Sequence, residues 1–326
     1  MEIGRELLYL SRADVEVCGL SFADAEAVVE GVFRAKATGR LRLQAKTTIR
    51  PPGARSYFIA MPGALDAPKV AAVKWVGLAQ PGSHGHDVPH VGSLMVISDA
   101  VTAMPMAVLD GTWITAMRTA AVTVVAARRL ARPSSRRLGV VACGLQARFH
   151  AEALRHAFPL AEIRAYGQPP ATAEAFAASL AAHGIDARAV DEPRQAIEGM
   201  DLVVTSVPEA ADLVPFLRPE WLAPGSFASM VDLGRSWIGD GLKDFDLAVT
   251  DDHAQTRDVA SHRSLTYSGP FHADLGELVA GQKKGRTGES ERAFLLHPGM
   301  GLSDIAVANR VVERARERGL GTRLPL

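Results

Sequence analysis

Cysteine is nearly absent from this chain, whose 326 residues include only Cys18 and Cys143. Two cysteines do not make the disulfide framework of a small secreted protein, so a reducing cytoplasm is the expected compartment. The chain also lacks any apolar stretch near the roughly 20 residues that a membrane helix needs. Its first residues lack the basic and apolar segments of a signal peptide. We therefore expect a cytoplasmic protein without a membrane segment.

An excess of charge of either sign is missing as well, because 36 Lys and Arg balance 36 Asp and Glu. A neutral total gives no electrostatic footprint for nucleic acid or for an anionic membrane surface. With 48% apolar and 22% charged residues, the composition is that of an ordinary globular protein. The length predicts two domains, or one large domain with an appendage, and no internal repeat is evident.

The first third of the sequence predicts an α+β region. Ser21 and Asp24 form a capping-box pattern ahead of a helix. From Leu41 to about Leu109, short apolar runs broken by Gly, Pro and Asp predict a mostly antiparallel sheet. The segment "TWITAMRTAAVTVVAARRLA" then predicts a long helix that Thr112 caps.

Strands and helices alternate after this helix, from "RLGVVACG" to "DLVVTSV". This alternation predicts an α/β fold with a doubly wound parallel sheet of the Rossmann type. The domain boundary is expected between Asp110 and Ala131, and the last helix is predicted from about Leu302 to Gly319.

Glycine is scarce where a dinucleotide-binding turn would carry it. The segment "VVACGLQARFH" has one glycine, Gly144, whereas the fingerprint G-x-G-x-x-G/A has two or three. A phosphate cradle needs backbone N–H groups at a helix N-terminus and room for the pyrophosphate, and Gly144 supplies the room. Ala142 costs little if its φ is negative and is serious only if φ is positive. On these residues alone, a nucleotide site and a non-binding βα turn are equally compatible.

Four segments occur in a characteristic order: "LDGTWITAMRTAA", "GLQA", "LGELVAG" and "GMGLSDIAVA". With them the chain resembles the ornithine cyclodeaminase/μ-crystallin family over nearly its whole length. The block DG-x-x-I-T-A-x-R-T-A-A is the most specific of these elements. The family's glycine turn usually reads G-x-G-x-Q-A, so Ala142 replaces the first glycine, while Gly144, Gln146 and Ala147 match.

The resemblance implies a substrate-binding and dimerisation domain over residues 1–115, with the C-terminal helix of 303–326 packing back on it. It implies an NAD(P)-binding Rossmann domain over 116–302, and a homodimer. The cofactor would be NAD or NADP, because Gly167 and Gln168 are neither the acidic residue that holds a ribose diol nor the arginine that favours a 2′-phosphate. The implied cofactor-binding residues are Thr119, Cys143, Gly144, Leu145, Gln146, Ala147, Tyr166, Gln168, Thr205, Ser206, Val207, Val231, Asp232, His297 and Gly299.

The resemblance also implies residues for an α-amino or α-imino acid substrate. Arg118 could hold a carboxylate through two parallel hydrogen bonds, or could be a solvated helix residue. Lys74 lies inside an apolar strand, where a lysine either snorkels or points into a site. Lys46 aligns with a family position that is often arginine. His84 lies in the loop "GSHGHDVPH", which could cover the substrate; we predict no metal there.

Three functions remain open from the sequence. The first is a reductase that uses NAD(P)H to convert an α-imino acid, of the ketimine, cyclic imine or iminosuccinate type, to an L-amino acid. The second is a cyclodeaminase with catalytic NAD, and the third is a μ-crystallin-like binding protein without turnover. Cyclodeaminases need a positioned acid/base group, an aspartate in the family. Gly234 stands at that position and Asp232 lies two residues earlier, so the reductase is favoured, with Lys74, Asp232 or water as proton donor. Asp232 could also be a simple turn residue.

Overall fold

The computed structural model describes residues 4–54, 56–79, 89–210, 212–262 and 265–326. The chain forms two compact units. Unit 1 comprises Met1–Arg118 and Met300–Leu326, and unit 2 comprises Thr119–Gly299. The sequence placed these divisions after residues 115 and 302. Within the described ranges, no helix has both the length and the apolar character needed to cross a bilayer.

Unit 1 begins with a run of strands and two helices. Its elements are β1 (Glu6–Leu10), α1 (Arg12–Val17), α2 (Phe22–Ala37), β2 (Arg42–Leu43), β3 (Thr47–Ile49), β4 (Tyr57–Leu65), β5 (Val70–Leu78), β6 (Val91–Asp99), β7 (Pro105–Asp110) and the start of α3 (Gly111–Leu130).

Unit 2 contains the alternating strands and helices. They are β8 (Arg137–Val141), α4 (Leu145–Ala157), β9 (Glu162–Tyr166), α5 (Pro170–Ala181), β10 (Asp186–Ala189), α6 (Pro193–Ile197), β11 (Leu202–Thr205), β12 (Phe227–Met230), β13 (Leu247–Thr250), α7 (His253–His262), β14 (Ala273–Asp274), α8 (Leu275–Val279) and β15 (Ala293–Leu296). The chain then returns to unit 1 with α9 (Gly301–Arg318) and β16 (Thr322–Pro325).

The sheet of unit 1 has the order β16-β1-β7-β6-β5-β4-β2, with β3 also pairing with β4. Its pairs are antiparallel except β1 with β7, as the short broken runs predict. Side chains alternate along each strand, so one face carries buried residues such as Ile59 and Met95. Helix α9 packs on β4, and glycine permits the close approach, since a Cβ at Gly63 would lie 3.0 Å from Ile305 Cδ1.

The sheet of unit 2 is entirely parallel, in the order β10-β9-β8-β11-β12-β15-β13-β14. Its first six strands follow the Rossmann order, so the chain reverses its direction of growth between β8 and β11. Open α/β sheets bind ligands in the crevice at this switch point, beyond the carboxyl ends of the strands. The predicted fold class is confirmed.

The start of α3 differs from its prediction. Asp110, not Thr112, caps the helix, because its Oδ1 accepts a hydrogen bond of 2.9 Å from the Trp113 N–H. Gly111 follows because a Cβ there would lie 2.7 Å from Ser93 Oγ on β6. By contrast, the capping box of Ser21 and Asp24 at α2 is present as predicted. The DG pair of the family block thus fixes where α3 leaves the sheet.

Candidate functional site

Two buried cations meet one buried carboxylate in unit 1. Lys74 on β5 is 2% exposed and Arg118 on α3 is 6% exposed, so Arg118 is not a solvated helix residue. Lys74 Nζ donates to Asp304 Oδ1 on α9 at 2.8 Å and to Thr115 Oγ1 at 3.2 Å. Arg118 Nε donates to the same Oδ1 at 2.9 Å. We call Lys74, Thr115, Arg118 and Asp304 the charged cluster.

Two buried polar atoms of the charged cluster, one donor and one acceptor, are unpaired within the described part of the chain. Among the described residues, neither Nη1 of Arg118 nor Oδ2 of Asp304 has a hydrogen-bond partner, although both atoms are buried. Leaving such groups unpaired costs about 1–3 kcal/mol each, and more when they are charged. Two cations against one carboxylate also leave a formal net charge of about +1 in a low-dielectric environment. The cluster is therefore complementary to a small group that carries both an anion and an N–H donor.

Burial lowers the pKa of Lys74 towards neutral pH. Its pKa is lowered from 10.5 to about 8, chiefly by loss of hydration and also by the charge of Arg118, while Asp304 opposes the change. Burial alone would raise the pKa of Asp304, but the charges of Arg118 and Lys74 outweigh it and hold that pKa below its usual value. At neutral pH the cluster thus contains an ionised carboxylate and an ammonium group that can release its proton near neutrality.

The other predicted substrate residues are less closely defined. Lys46 lies half-buried in the loop between β2 and β3 of unit 1. His84 and His86 lie outside the described residues. His90 is half-buried just before β6, and its Nδ1 has no hydrogen-bond partner within the described part of the chain.

The predicted cofactor residues lie at one edge of the parallel sheet of unit 2, with the exception of Thr119 on α3. The carboxyl ends of five strands carry them: after β8, Cys143 to Ala147; at and after β9, Tyr166 and Gln168; at and after β11, Thr205 to Val207; after β12, Val231 and Asp232; after β15, His297 and Gly299.

The turn after β8 fits a dinucleotide phosphate. Gly144 is the N-cap residue of α4, and a Cβ there would meet nothing within 4 Å, so packing does not explain the glycine. Its φ of −82° does not require glycine either. The first turn of a helix presents N–H groups that lack intrahelical partners, and the open space at Gly144 lets an anion approach them. The residues present therefore fit the group that the family resemblance implies.

Ala142 does not have the negative φ that would make alanine inexpensive at this position. Its φ is +70°, in the left-handed region that favours glycine. Ser206 on the switch-point side stabilises this turn, since its Oγ donates to the Ala142 carbonyl at 3.2 Å and its N–H donates to Val141 O at 3.0 Å. Replacement of the family's first glycine by alanine therefore introduces backbone strain without removing the turn.

A buried histidine, which the sequence analysis did not single out, supports the first turn of α4. His150 Nδ1 donates to the Gln146 carbonyl at 2.7 Å, and its Nε2 lies 3.0 Å from Thr123 Oγ1. Thr123 in turn lies 2.7 Å from Ser229 Oγ on β12. This chain of bonds connects α4, α3 and β12. A histidine inside an apolar helix face was its only sequence signal.

Asp232 is part of the turn after β12. Its Oδ1 accepts from Thr205 Oγ1 at 3.0 Å and from the Gly234 N–H at 3.1 Å, and its Oδ2 accepts from Ser236 Oγ at 2.6 Å. Burial raises the pKa of Asp232, although these bonds oppose the shift. Trp237 Nε1 also donates to Thr205 Oγ1 at 3.2 Å. The side chains of Asp232 and Thr205 are thus held in a hydrogen-bond network that stabilises the turn.

At the end of β15, His297 is buried and Gly299 has a φ of +86°. The Gly299 N–H donates to Oδ2 of Asp251, a buried carboxylate after β13, at 2.8 Å. Sequence reasoning missed Asp251 and Asp304. Asp304 stands within an apolar stretch of α9, so the argument that singled out Lys74, a charge inside an apolar run, would have found it.

Comparison with known proteins shows to which family the chain belongs. A family model described as the ornithine cyclodeaminase/mu-crystallin family matches residues 5–319. The chain is 30% identical to alanine dehydrogenase of Archaeoglobus fulgidus, over 98% of each chain. Among solved structures, it is similar to an archaeal alanine dehydrogenase dimer with bound NAD (TM-score 0.84, 29% identity, 98% and 99% of the two chains).

A second similar structure is Δ1-pyrroline-2-carboxylate reductase of Thermococcus litoralis in complex with NADH and L-proline (TM-score 0.86, 27% identity, 97% and 99% of the two chains). These relatives confirm the enzyme class and the NAD-type cofactor that the sequence led us to expect. Since the family model and the archaeal relative both match nearly the whole length, the chain belongs to the ornithine cyclodeaminase/mu-crystallin family.

Proposed function

We propose that this chain is an NAD(P)H-dependent reductase that converts an α-imino acid to an L-amino acid. The observation that carries the proposal is the charged cluster, in which Arg118 Nη1 and Asp304 Oδ2 find no partner in the part of the chain that the structure describes. An α-imino acid offers a carboxylate for the donor and, when protonated, an N–H for the acceptor. One ligand would thus satisfy both buried atoms.

Each residue of the cluster has a separate task in this proposal. Arg118 binds the substrate carboxylate through charge-assisted hydrogen bonds. Asp304 holds the side chains of Lys74 and Arg118 in place and limits the excess charge, so that one carboxylate neutralises the site. Lys74 Nζ, in its ammonium form, helps Arg118 to hold the substrate carboxylate and donates a proton to the nitrogen once reduction has made it an amine, and its pKa of about 8 suits that transfer near neutral pH.

The cofactor belongs, in this proposal, at the carboxyl edge of the unit 2 sheet. The N–H groups at the start of α4 and the open space at Gly144 would hold the pyrophosphate. When bound, the reduced dinucleotide supplies the hydride. Relatives described with NAD and with NADH support this assignment.

The cyclodeaminase alternative is less well supported. Gly234 stands where the family's aspartate is expected, and its φ of +76° disfavours any other residue. A Cβ at this position would lie 3.1 Å from Thr266 Cβ, so an aspartate would also be crowded. Asp232 is engaged in its turn through both oxygens, and we assign it a structural role.

We also propose a homodimer in which a second copy covers the outward face of the unit 1 sheet. Trp75 and Leu94 oppose each other on β5 and β6 and are 41% and 50% exposed. Phe58 on β4 stacks on Trp75 with ring centroids 5.3 Å apart. A continuous apolar sheet face is typical of an interface, and the NAD-bound relative of known structure is a dimer.

The test of the proposed reaction is oxidation of NADH or NADPH, followed by absorbance, with cyclic imines, iminosuccinate, and keto acids plus amines. Wild-type protein should consume cofactor in proportion to amino acid formed. Arg118→Lys should lower kcat/KM about as much as Arg118→Ala, roughly 100-fold, because the guanidinium fork is lost in both. Cofactor affinity should be unchanged.

Arg128→Lys serves as the control, because Arg128 is an exposed residue of the same helix. It should leave kcat/KM unchanged. Wild-type kinetics in Arg118→Ala would exclude Arg118 from the substrate site. Failure of every imino acid, despite tight cofactor binding, would instead favour a non-catalytic binding protein.

A further inference from the structure

A cleft opens beside the proposed pyrophosphate turn, at the ends of β9 and β10. It has a volume of about 330 Å³ and is lined by residues that include Tyr166, Gln168, Pro169, Val190 and Asp191. Strand β9 is the neighbour of β8 in the sheet, so the cleft lies on the side of the turn away from the switch point. In a Rossmann sheet, this is the position of the adenosine ribose.

The residue after β9 cannot carry the usual ribose-binding side chain. Gly167 fills that position, and a Cβ there would lie 2.5 Å from Thr172 Oγ1 and 3.3 Å from the Ala173 backbone nitrogen. Neither an aspartate nor an arginine fits without displacement of the start of α5. Recognition of the ribose therefore falls to other side chains in the cleft.

The charge in this cleft is negative. Of the described residues that line it, Asp191 alone has a carboxylate side chain, and none is a lysine or an arginine. Gln168 Nε2 donates to the Tyr166 hydroxyl at 2.6 Å, which keeps an uncharged amide over the opening.

The arginines on the two neighbouring strands are engaged elsewhere. Arg164 on β9 and Arg188 on β10 both donate to Glu162 Oε1 at 2.8 Å. Arg164 also donates to the carbonyl of Gln195 at 3.4 Å. The charge of Arg148 on α4 opposes the rise that burial causes in the pKa of the Cys143 thiol, and Arg148 does not line the cleft. The described lining of the cleft thus offers hydrogen-bond acceptors for hydroxyl groups and no cation for a phosphate.

We infer that this cleft binds the unphosphorylated 2′,3′-diol of an adenosine ribose, and that Asp191 makes the chain select NAD(H) over NADP(H). A carboxylate accepts hydrogen bonds from ribose hydroxyls, whereas a 2′-phosphate would add negative charge beside it without a counter-ion. The inference rests on the proposed function, because it requires that the turn at Gly144 binds a dinucleotide.

Fluorescence titration of the purified, nucleotide-free protein with NADH and with NADPH tests the inference without any substrate. Wild-type protein should bind NADH at least about 10-fold more tightly than NADPH. Asp191→Asn should reduce this ratio about threefold or more, chiefly through tighter binding of NADPH. Asp191→Asn combined with Gln168→Arg should bind NADPH more tightly than NADH, since a guanidinium then faces the 2′-phosphate.

Asp186→Asn is the matched control, because Asp186 is also an exposed aspartate and lies at the opposite end of β10. It should leave the ratio of the two dissociation constants unchanged. NADPH binding as tight as NADH in the wild type, or an equal ratio in Asp191→Asn and wild type, overturns the inference and leaves the proposed function standing. Absence of binding of either nucleotide overturns the proposed function and the inference together.

Discussion

At the scale of single residues, Asp304 determines how two cations can be buried side by side. Removing a charge from water costs several kcal/mol unless a partner compensates it, and like charges add repulsion. One oxygen of Asp304 accepts from both Lys74 and Arg118, so the carboxylate compensates both cations at once. Its second oxygen is left for another donor. Among the described residues, the cluster thus leaves one buried donor and one buried acceptor open, as the proposed imino acid substrate requires.

The pKa of Lys74 predicts how substrate affinity depends on pH. Its value of about 8 means that the ammonium form dominates below pH 8 and is lost above it, earlier than for an ordinary lysine. Because the ammonium form helps Arg118 to hold the substrate carboxylate in the proposed site, KM for the imino acid should rise as pH increases through about 8. Initial rates with saturating cofactor, measured across this range, give the KM profile.

Lys74→Arg keeps the positive charge throughout the same range, so its KM should lose this rise while its kcat falls for want of a transferable proton. Ionisation of the substrate itself affects both proteins equally and cancels in the comparison. An identical KM profile in wild type and Lys74→Arg would contradict the assignment of Lys74.

Replacement of the strained Ala142 should stabilise the protein, whereas most substitutions destabilise it. Ala142→Gly should raise the free energy of unfolding by about 1 kcal/mol, because a left-handed φ costs a residue with a Cβ roughly 1–2 kcal/mol. Ala182→Gly is the control: Ala182 is exposed with a φ of −58°, so its variant should lose about 0.5–1 kcal/mol. Urea unfolding measures both. Equal loss of stability in the two variants would show that Ala142 is not strained.

At the scale of elements, local sequence signals predicted most helices and strands, and tertiary contacts decided the exceptions. The capping box at α2 depends on residues three apart, so it can be read from the sequence. The start of α3 cannot, because Gly111 is required there by Ser93 on β6. The strain at Ala142 likewise depends on how β8 meets α4. Residues whose role comes from a distant strand are those that sequence reasoning misplaced.

Asp201 joins the end of α3 to the first strand of the parallel sheet. Its carboxylate accepts from Arg132 Nη2 at 2.8 Å, from Arg137 Nη2 at 3.0 Å and from the Arg136 N–H at 2.9 Å. Burial alone would raise the pKa of Asp201, but these donors outweigh it and lower that pKa. Asp201→Asn should therefore reduce the free energy of unfolding at neutral pH by about 2 kcal/mol.

The pH dependence of this loss has a defined sign. Because the pKa is lower in the folded state, the stabilisation is present above the unfolded pKa of about 4 and disappears as pH falls through the folded pKa. Urea unfolding of wild type and Asp201→Asn should thus differ most at neutral pH and converge in acid. The exposed Asp186→Asn should change stability by less than about 0.5 kcal/mol. A difference that persists unchanged into acid would argue against a role for the Asp201 charge.

At the scale of the whole molecule, strand order and side-chain alternation gather the predicted residues within each unit separately. The alternation of strands and helices predicted the Rossmann-type sheet, and most of the predicted cofactor residues lie at its carboxyl edge. The charged cluster could be predicted only in part. Arg118 follows from the family motif and Lys74 from its place inside an apolar strand, but their shared partner Asp304 lies more than two hundred residues away from Lys74 in sequence. Such pairing depends on the packing of α9 against the sheet.

The outward face of the unit 1 sheet predicts the state of association. Wild-type protein should show about twice the monomer mass of 34.7 kDa by light scattering at micromolar concentration. Trp75→Arg combined with Leu94→Arg should give a monomer, because two buried charges would enter the interface. Val101→Arg, at a residue 73% exposed in the turn between β6 and β7, should remain dimeric. A monomeric wild type, or a dimeric double variant, would show that this face is not the interface.

The most direct test of the account is the fate of the nicotinamide hydride. The protein is supplied with an α-imino acid and with NADH deuterated at the transferable position, and the amino acid product is analysed by mass spectrometry. A reductase places the deuterium on the Cα of the product and consumes one cofactor for each amino acid formed. An amino acid free of deuterium, or release of ammonia from ornithine without net change in the cofactor, would contradict the proposed reaction.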